Sequence, residues 1–133
     1  MIPSETPPGS VFDRPAIASI LAIDKAELLE RIDGDRDFLL ELVEIFRSDY
    51  PHHVLAASQA IDRGESRGVE RAAHALKGAL STLAAKRATT TAADLEELGK
   101  SGVLNSAGTS LSRLVAEIEE ALVSLDAISR ERP

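Results

Sequence analysis

Apolar residues recur every three or four positions through most of the chain. This spacing places them on one side of an α-helix, and no stretch shows the apolar–polar alternation of a β-strand. The pattern predicts helices over about 25–32, 38–61, 66–85, 86–99 and 106–129. Pro51 falls inside the second helix, where it predicts either a kink or the start of a separate helix. The chain is therefore predicted to be all-α.

Capping residues and glycines mark the ends of these helices. Asp24 and Asp35 are candidate N-caps, and Asp62-Arg63-Gly64 is typical of a turn. Residues 99–102 (Gly-Lys-Ser-Gly) are predicted to end the fourth helix. Residues 12–23 are apolar enough for a short docking helix, and residues 1–11, rich in Pro, Gly and Ser, predict a disordered tail. We therefore expect one domain over 12–130, an antiparallel four-helix bundle with one or two additional N-terminal helices.

Composition and charge narrow the classes of function. Only 3% of the residues are aromatic, so the core must consist of Leu, Ile, Val and Ala, and no Cys is present for disulfide or thiolate chemistry. The 22 acidic and 15 basic residues give a net charge of −7, which disfavours nucleic-acid binding. No apolar run approaches the ~20 residues needed to span a bilayer, and the N-terminus lacks signal-peptide character. A cytoplasmic protein without membrane contact is expected.

The third predicted helix presents a histidine on its polar face. At 100° per residue, its apolar positions gather on one side: Val69, Ala72, Leu76, Leu80 and Leu83. His74 lies on the opposite side, with Lys77 and Gly78 one turn later. A glycine inside a helix costs ~1 kcal/mol against Ala, and here it would leave room for a partner beside the imidazole. A neutral imidazole nitrogen is a nucleophile, and Lys77 could supply a cation to a phosphoryl group.

Other candidate sites are weaker. His52 and His53 are adjacent and point about 100° apart on a helix, so they cannot chelate one ion, and no metal site is predicted. No Ser/His/Asp arrangement or phosphate-binding loop is present. The basic side chains near the third helix form a loose stripe that is either a solvated face or a means of steering toward an acidic partner: Arg67, Arg71, Lys77, Lys86 and Arg87.

Two segments resemble the signature of histidine-containing phosphotransfer (HPt) domains. They are Ala73-His74-Ala75-Leu76-Lys77-Gly78 and, a few residues later, Leu83-Ala84-Ala85-Lys86. The resemblance extends upstream to Gly34–Leu42 and downstream to Asp94-Leu95-Glu96, so it covers about 24–128. The chain departs from the pattern at Ala84, where the family usually has Gly, and at Ala79, where it often has Ser.

The resemblance implies a phosphoryl carrier rather than an autonomous enzyme. His74 would accept a phosphoryl group from the aspartate of one receiver domain and pass it to another, with response-regulator receivers and/or a hybrid sensor kinase as partners. No intrinsic cofactor is expected, and Mg²⁺ would be supplied by the receiver. Lys77 would hold the phosphoryl oxygens and Gly78 would give access. Glu96 is expected either to hydrogen-bond the ring of His74 or to be an ordinary exposed glutamate.

The receiver is expected to dock on the rim around His74. The residues assigned to this contact are Arg71, Ala75, Leu80, Ser81 and Lys86. The chain is expected to act as a monomer. Two alternatives remain open: a helical-bundle adaptor that binds a partner without phosphorylation, and a substrate domain of a larger kinase.

Overall fold

Five α-helices make up almost all of the computed structural model, which describes residues 22–131. They are α1 (Lys25–Arg31), α2 (Arg36–Arg63), α3 (Ser66–Thr82), α4 (Lys86–Ser101) and α5 (Ala107–Ser129). No strand occurs within the described range, so the all-α prediction is confirmed. The predicted tail over 1–11 and nearly all of the predicted helix over 12–23 lie outside the described residues. None of the helices in the described part of the chain is long and apolar enough to cross a membrane.

The predicted N-caps of α1 and α2 are confirmed. The carboxylate of Asp24 accepts a hydrogen bond from the backbone N–H of Glu27 at 3.1 Å. The carboxylate of Asp35 does the same for the N–H of Phe38 at 3.0 Å. Each side chain satisfies one of the backbone donors that a helix N-terminus leaves without an intrahelical partner. These local bonds fix where the first two helices begin.

Helices α2 to α5 form a four-membered antiparallel bundle. Each helix packs against the next one along the chain, and α5 closes the bundle against α2. The links between them are only a few residues long, so successive helices must run in opposite directions. The core is aliphatic as predicted, and its largest fully buried side chains on these helices are Leu39, Val69, Leu76, Leu80, Leu95, Leu114, Ile118 and Leu125.

The short helix α1 lies against one end of the bundle. The backbone N–H of Asp24 donates to the carbonyl of Ala84, between α3 and α4, at 2.8 Å. Lys25 pairs with Glu131 beyond the end of α5 at 2.7 Å. Leu28 is fully buried. This end of the bundle is therefore fastened by both apolar packing and polar contacts.

Pro51 neither breaks nor ends α2, which runs as one α-helix from Arg36 to Arg63. A proline inside a helix removes one backbone hydrogen bond and costs ~3 kcal/mol in isolation. Here both halves of the helix are held by burial in the core, with Val43 and Phe46 before the proline and Ala57 after it. Tertiary packing outweighs the local preference for a break.

The third and fourth helices end at different residues from those predicted. Helix α3 stops at Thr82 rather than Ala85, because Ala84 adopts a left-handed conformation with φ of 57°. Glycine accepts this region more readily than alanine does, which explains why the HPt-like pattern usually has glycine there. Helix α4 continues past Gly99 to Ser101 and is capped by Gly102.

Gly99 is a packing residue rather than a helix terminator. A Cβ atom on it would lie 2.6 Å from the backbone nitrogen of Glu70 and 2.8 Å from its Cα. These distances are shorter than any real contact of a Cβ atom. The absence of a side chain at Gly99 therefore lets α3 and α4 approach closely, and this contact fixes the spacing of the two helices on which the functional site is built.

Candidate functional site

His74 projects from the middle of α3 into solvent. Its side chain is 69% exposed, whereas the neighbouring Ala73 and Leu76 are fully buried. The same α3 periodicity that directs the apolar residues into the bundle turns the imidazole outward. The predicted exposure of His74 is confirmed.

Glu96 reaches His74 from the adjacent helix α4. Its Oε2 lies 2.9 Å from Nδ1 of His74. The side chain of Glu96 is only 8% exposed, so it is not the ordinary solvated glutamate that the sequence left open. A carboxylate only accepts hydrogen bonds, so Nδ1 carries a proton, and the lone pair of the neutral ring is then on Nε2.

Lys77 binds the other oxygen of the same carboxylate. Its Nζ lies 2.6 Å from Oε1 of Glu96, and its side chain is one-third exposed. The hydrogen bond from Lys77, and then that from His74, lowers the pKa of Glu96 below its ordinary value although burial raises it. Glu96 is thus an ionised, buried carboxylate with both oxygens engaged.

The surface beside His74 is open at Gly78. A Cβ atom on Gly78 would meet nothing within 4 Å, and the residue is exposed. Ala75 is partly exposed, and Arg71 and Ser81 are exposed. A partner can therefore approach the imidazole over the surface around Gly78, which carries few bulky side chains and which we call the shoulder.

Leu80 does not belong to this surface. Its side chain is fully buried in the core, because it continues the apolar stripe of α3. The expectation that Leu80 contacts a receiver is therefore wrong, and its contribution is to packing beneath the site.

Lys86 is exposed but already paired. Its Nζ lies 2.6 Å from Oε1 of Glu27 on α1. Arg31 of α1 bonds the same glutamate and the backbone carbonyl of Ser81. Helix α1 thus holds the C-terminal end of α3 through the carbonyl of Ser81. This role of Glu27 and Arg31 is not predictable from the sequence, since nothing in their local pattern indicates which distant residues they contact.

No group of three His, Cys, Asp or Glu side chains within residues 22–131 is arranged to hold a metal ion. His53 contacts Asp49 one turn earlier on α2, with 3.0 Å between Nε2 and Oδ2. His74 accordingly presents an accessible imidazole nitrogen. The ring is oriented by the carboxylate of Glu96 and is unobstructed on the side of Gly78.

Comparison with known proteins shows the fold and the family of the chain. No curated protein sequence matches the chain. Among solved structures it is similar to histidine-containing phosphotransfer protein B from Pseudomonas aeruginosa PAO1, with 21% identity and a TM-score of 0.69, over 84% of this chain and 97% of that one. At this identity the likeness shows a shared fold. The family model of the Hpt domain matches residues 41–127, a range that includes His74, Lys77, Gly78 and Glu96. The chain therefore belongs to the Hpt domain family.

Proposed function

We propose that this protein is a phosphoryl carrier of a two-component phosphorelay, and that Nε2 of His74 is the acceptor atom. The observation that supports this most strongly is the pairing of Nδ1 with a buried, ionised Glu96 while Nε2 faces solvent. That arrangement fixes one tautomer of the ring and presents a lone pair on the accessible side.

The transfer step is a displacement at phosphorus. The Nε2 lone pair attacks the phosphorus of a receiver's aspartyl phosphate, and an N–P bond forms. The P–O bond to the aspartate breaks, and its electron pair leaves with the aspartate as a carboxylate. The proton on Nδ1 stays in place, and the positive charge that the ring gains is balanced by Glu96 at 2.9 Å. Onward transfer to a second receiver is the reverse step.

Lys77 supports this step chiefly through Glu96. A carboxylate that is 8% exposed needs a charged partner to stay ionised, and the Nζ of Lys77 supplies it at 2.6 Å. The partly exposed ammonium group is bound to the same carboxylate as the ring, and it can attract phosphoryl oxygens once they arrive. Lys77 is therefore a positioning residue first and a phosphoryl-binding residue second.

In this proposal the protein acts as a carrier, and the receiver brings Mg²⁺ and most of the catalytic groups. The receiver docks over the open shoulder at Gly78, next to Ala75 and Ser81, which the structure leaves accessible. Lys86 can join this contact while it remains paired with Glu27, since its side chain is 55% exposed.

The test is phosphoryl transfer from a receiver domain labelled on its aspartate, in the presence of Mg²⁺. We expect the wild-type chain to gain one phosphoryl group that is stable in alkali, lost in acid and mapped to His74. His74→Gln should abolish the gain while the helical fold remains. His53→Gln, which removes another partly exposed histidine, serves as the matched control and should be labelled normally.

The adaptor interpretation makes the opposite prediction. A helical module that only binds partners would form a complex with a receiver, and His74→Gln would leave both its binding and its phosphate content unchanged. Labelling of the His74→Gln variant on another residue would show that the proposed acceptor is wrong.

A further inference from the structure

The basic side chains of the described residues fall into two groups. Seven of the thirteen lie within 4.0 Å of a carboxylate oxygen, including Lys77, Lys86 and Arg87 of the stripe seen in the sequence. The other six have no such partner within residues 22–131: Arg63, Arg67, Arg71, Lys100, Arg113 and Arg130. The predicted stripe is thus largely neutralised by the protein itself, except at Arg67 and Arg71.

Three of the six lie at the end of α2 and in the first half of α3, the helix that carries His74, and we name Arg63, Arg67 and Arg71 the arginine row. All three are exposed. Arg71 lies one turn before His74, and at 100° per residue Arg67, Arg71 and His74 fall within an arc of about 60° on α3. Arg63, near the end of α2, lines with Arg71 the shallow groove between α2 and α3. Arg71 and Arg67 therefore continue the exposed face of His74 toward the start of α3, and Arg63 lies across the groove from Arg71.

The positions of Arg67 and Arg71 contribute little to the stability of the fold. Like charges four residues apart on a helix, such as Arg67 and Arg71, repel each other. Arg67 also lies in the first turn of α3, where the helix dipole disfavours a cation. Nearby Asp62, Glu65 and Glu70 form no ion pair with the row. Only Arg63, in the last turn of α2, occupies a position that the dipole favours.

The unpaired cations elsewhere contrast with the row. Lys100 lies in the last turn of α4 and Arg130 caps the C-terminus of α5, and both positions suit a positive charge. Arg113 lies in α5, and neither Lys100 nor Arg130 is within one turn of it along the chain. None of the three is followed by another unpaired cation one turn away within residues 22–131, so none shows the repulsion expected between Arg67 and Arg71.

We infer that the arginine row selects the partner that docks at His74, and that this partner carries an acidic patch beside its phosphorylated aspartate. The inference rests on the proposed function. The chain has a net charge of −7 and would repel an acidic partner as a whole, so attraction must come from a local patch. Arg67 lies seven residues from His74, ~10 Å along the helix. The acidic patch should lie at a similar distance from the partner's aspartate.

The range of the interaction supports a role in selection. The Debye length is about 8 Å at physiological ionic strength. Charges on the row therefore act on a partner that is docked or nearly docked, but hardly on one that is far away. Complementary charge at that range fixes orientation and raises the association rate for the matching partner.

The test compares two triple variants that remove the same amount of charge. One replaces the row (Arg63→Gln, Arg67→Gln, Arg71→Gln), and the other replaces the distant cations (Lys100→Gln, Arg113→Gln, Arg130→Gln). Each lowers the net charge from −7 to −10 by the loss of three positive charges. The donor is a phosphorylated receiver domain that labels wild-type His74, and the measurement is the second-order transfer rate at low and high salt. Circular dichroism verifies that both variants are folded.

We expect the row variant to lose about tenfold in rate at low salt, with the loss shrinking severalfold at high salt because ions screen the attraction. The distant variant should stay within about twofold of wild type, a margin allowed for the change in overall charge. Equal rates for the two variants would overturn the inference. If the row variant does not fold, the single change Arg67→Gln serves instead, with a loss of about threefold expected.

The failure of this inference can be told apart from the failure of the proposed function. If no receiver labels wild-type His74, the carrier function fails. If wild type and both triple variants are labelled equally fast, only the role of the arginine row fails. A random-sequence DNA duplex that wild type retards in a gel, and the row variant does not, with unchanged transfer, would reassign the row to nucleic acid and overturn the inference.

Discussion

Helix α4 contributes to two contacts that each contain a buried glutamate, and the two glutamates are not equally well paired. Glu96 faces α3, where its two oxygens lie 2.9 Å from Nδ1 of His74 and 2.6 Å from Nζ of Lys77. Glu117, on α5, faces Arg87 of α4 across a longer distance of 3.5 Å. Its Oε1 is buried and has no hydrogen-bond partner within the described residues. Both side chains are 8% exposed, so burial alone does not distinguish them.

The difference shows what makes a buried carboxylate useful. Removing a carboxylate from water is costly unless its oxygens are hydrogen-bonded, and more so when the charge has no close partner. At Glu96 two charge-assisted contacts offset this cost and leave an ionised group that orients the ring of His74. At Glu117 the cost is only partly offset, and the group orients nothing. Of the two buried glutamates, only Glu96, whose oxygens are both engaged, belongs to the candidate site.

On the face of α4 that carries Glu96, the helix also approaches α3 closely. Gly99 lies one turn after Glu96 and touches the backbone of Glu70. Since side chains three positions apart share a helix face, we expect this contact to set how far Glu96 extends toward His74. The functional contact therefore depends on a residue that has no side chain.

The largest expected effect comes from widening that approach. In Gly99→Ala, the added methyl group would overlap the backbone of Glu70 and force the helices apart, so we expect a loss of about 1–3 kcal/mol in the free energy of unfolding. Phosphoryl transfer should also slow, because Glu96 moves away from His74. Urea unfolding and transfer kinetics measure the two effects.

Gly78→Ala is the matched control, since it adds the same methyl group to a helix at an open position. It should raise the free energy of unfolding by about 1 kcal/mol, because alanine is the better helix former. Transfer should nevertheless slow, since the methyl group narrows the shoulder over which a partner approaches. If Gly99→Ala proved as stable as wild type, Gly99 would have no part in positioning Glu96.

A smaller effect on the free energy of unfolding, different at the two sites, is expected when each buried glutamate is replaced by glutamine. The substitution removes the charge and keeps the shape of the side chain. Glu96→Gln loses two charge-assisted contacts with partly exposed partners, so the free energy of unfolding should fall by about 1 kcal/mol. Glu117→Gln removes a poorly paired charge and should leave the stability unchanged or raise it. Urea unfolding at neutral pH makes the comparison. Equal losses at both positions would show that the pairing of Glu117 is better than its geometry indicates.

The smallest effect is the pH dependence of the contribution that Glu96 makes to the free energy of unfolding. The pKa of Glu96 in the folded protein lies below its ordinary value of 4.5, chiefly because Lys77 donates to the carboxylate. The group therefore binds fewer protons in the folded state, and it stabilises the fold above pH 4.5. As the pH falls through the lowered pKa, the stability difference between wild type and Glu96→Gln should disappear. A difference that grows below pH 4.5 would contradict the direction of the shift.

Much of the fold follows from local pattern. The caps at Asp24 and Asp35, the helix period and the outward direction of His74 depend on residues within one or two turns of each other, so they can be read along the chain. The pattern left open whether Pro51 kinks α2 or begins a separate helix; the structure has one continuous helix, whose two halves are held by burial in the core. The predicted end of α3 at Ala85 was wrong, because Ala84 is left-handed.

The candidate site divides in the same way. Lys77 and Gly78 lie within four residues of His74 on one helix, so their placement beside it was predictable. Leu80 was assigned to the contact surface although its own periodicity places it in the core, where the structure has it. Lys86 was predicted to be exposed, but its pairing with Glu27 joins residues far apart in sequence.

The sequence by itself determined the class of fold, the direction in which His74 points and the residues of its own helix that accompany it. The reason is that helical geometry relates positions a few residues apart without reference to the rest of the chain. Only the tertiary structure decided that Glu96 is buried, that it holds His74 and Lys77 at once, and that Arg63, Arg67 and Arg71 have no acidic partner among residues 22–131. These properties depend on which helices meet and at what distance, and that distance is set between α3 and α4 by contacts such as that of Gly99 with Glu70.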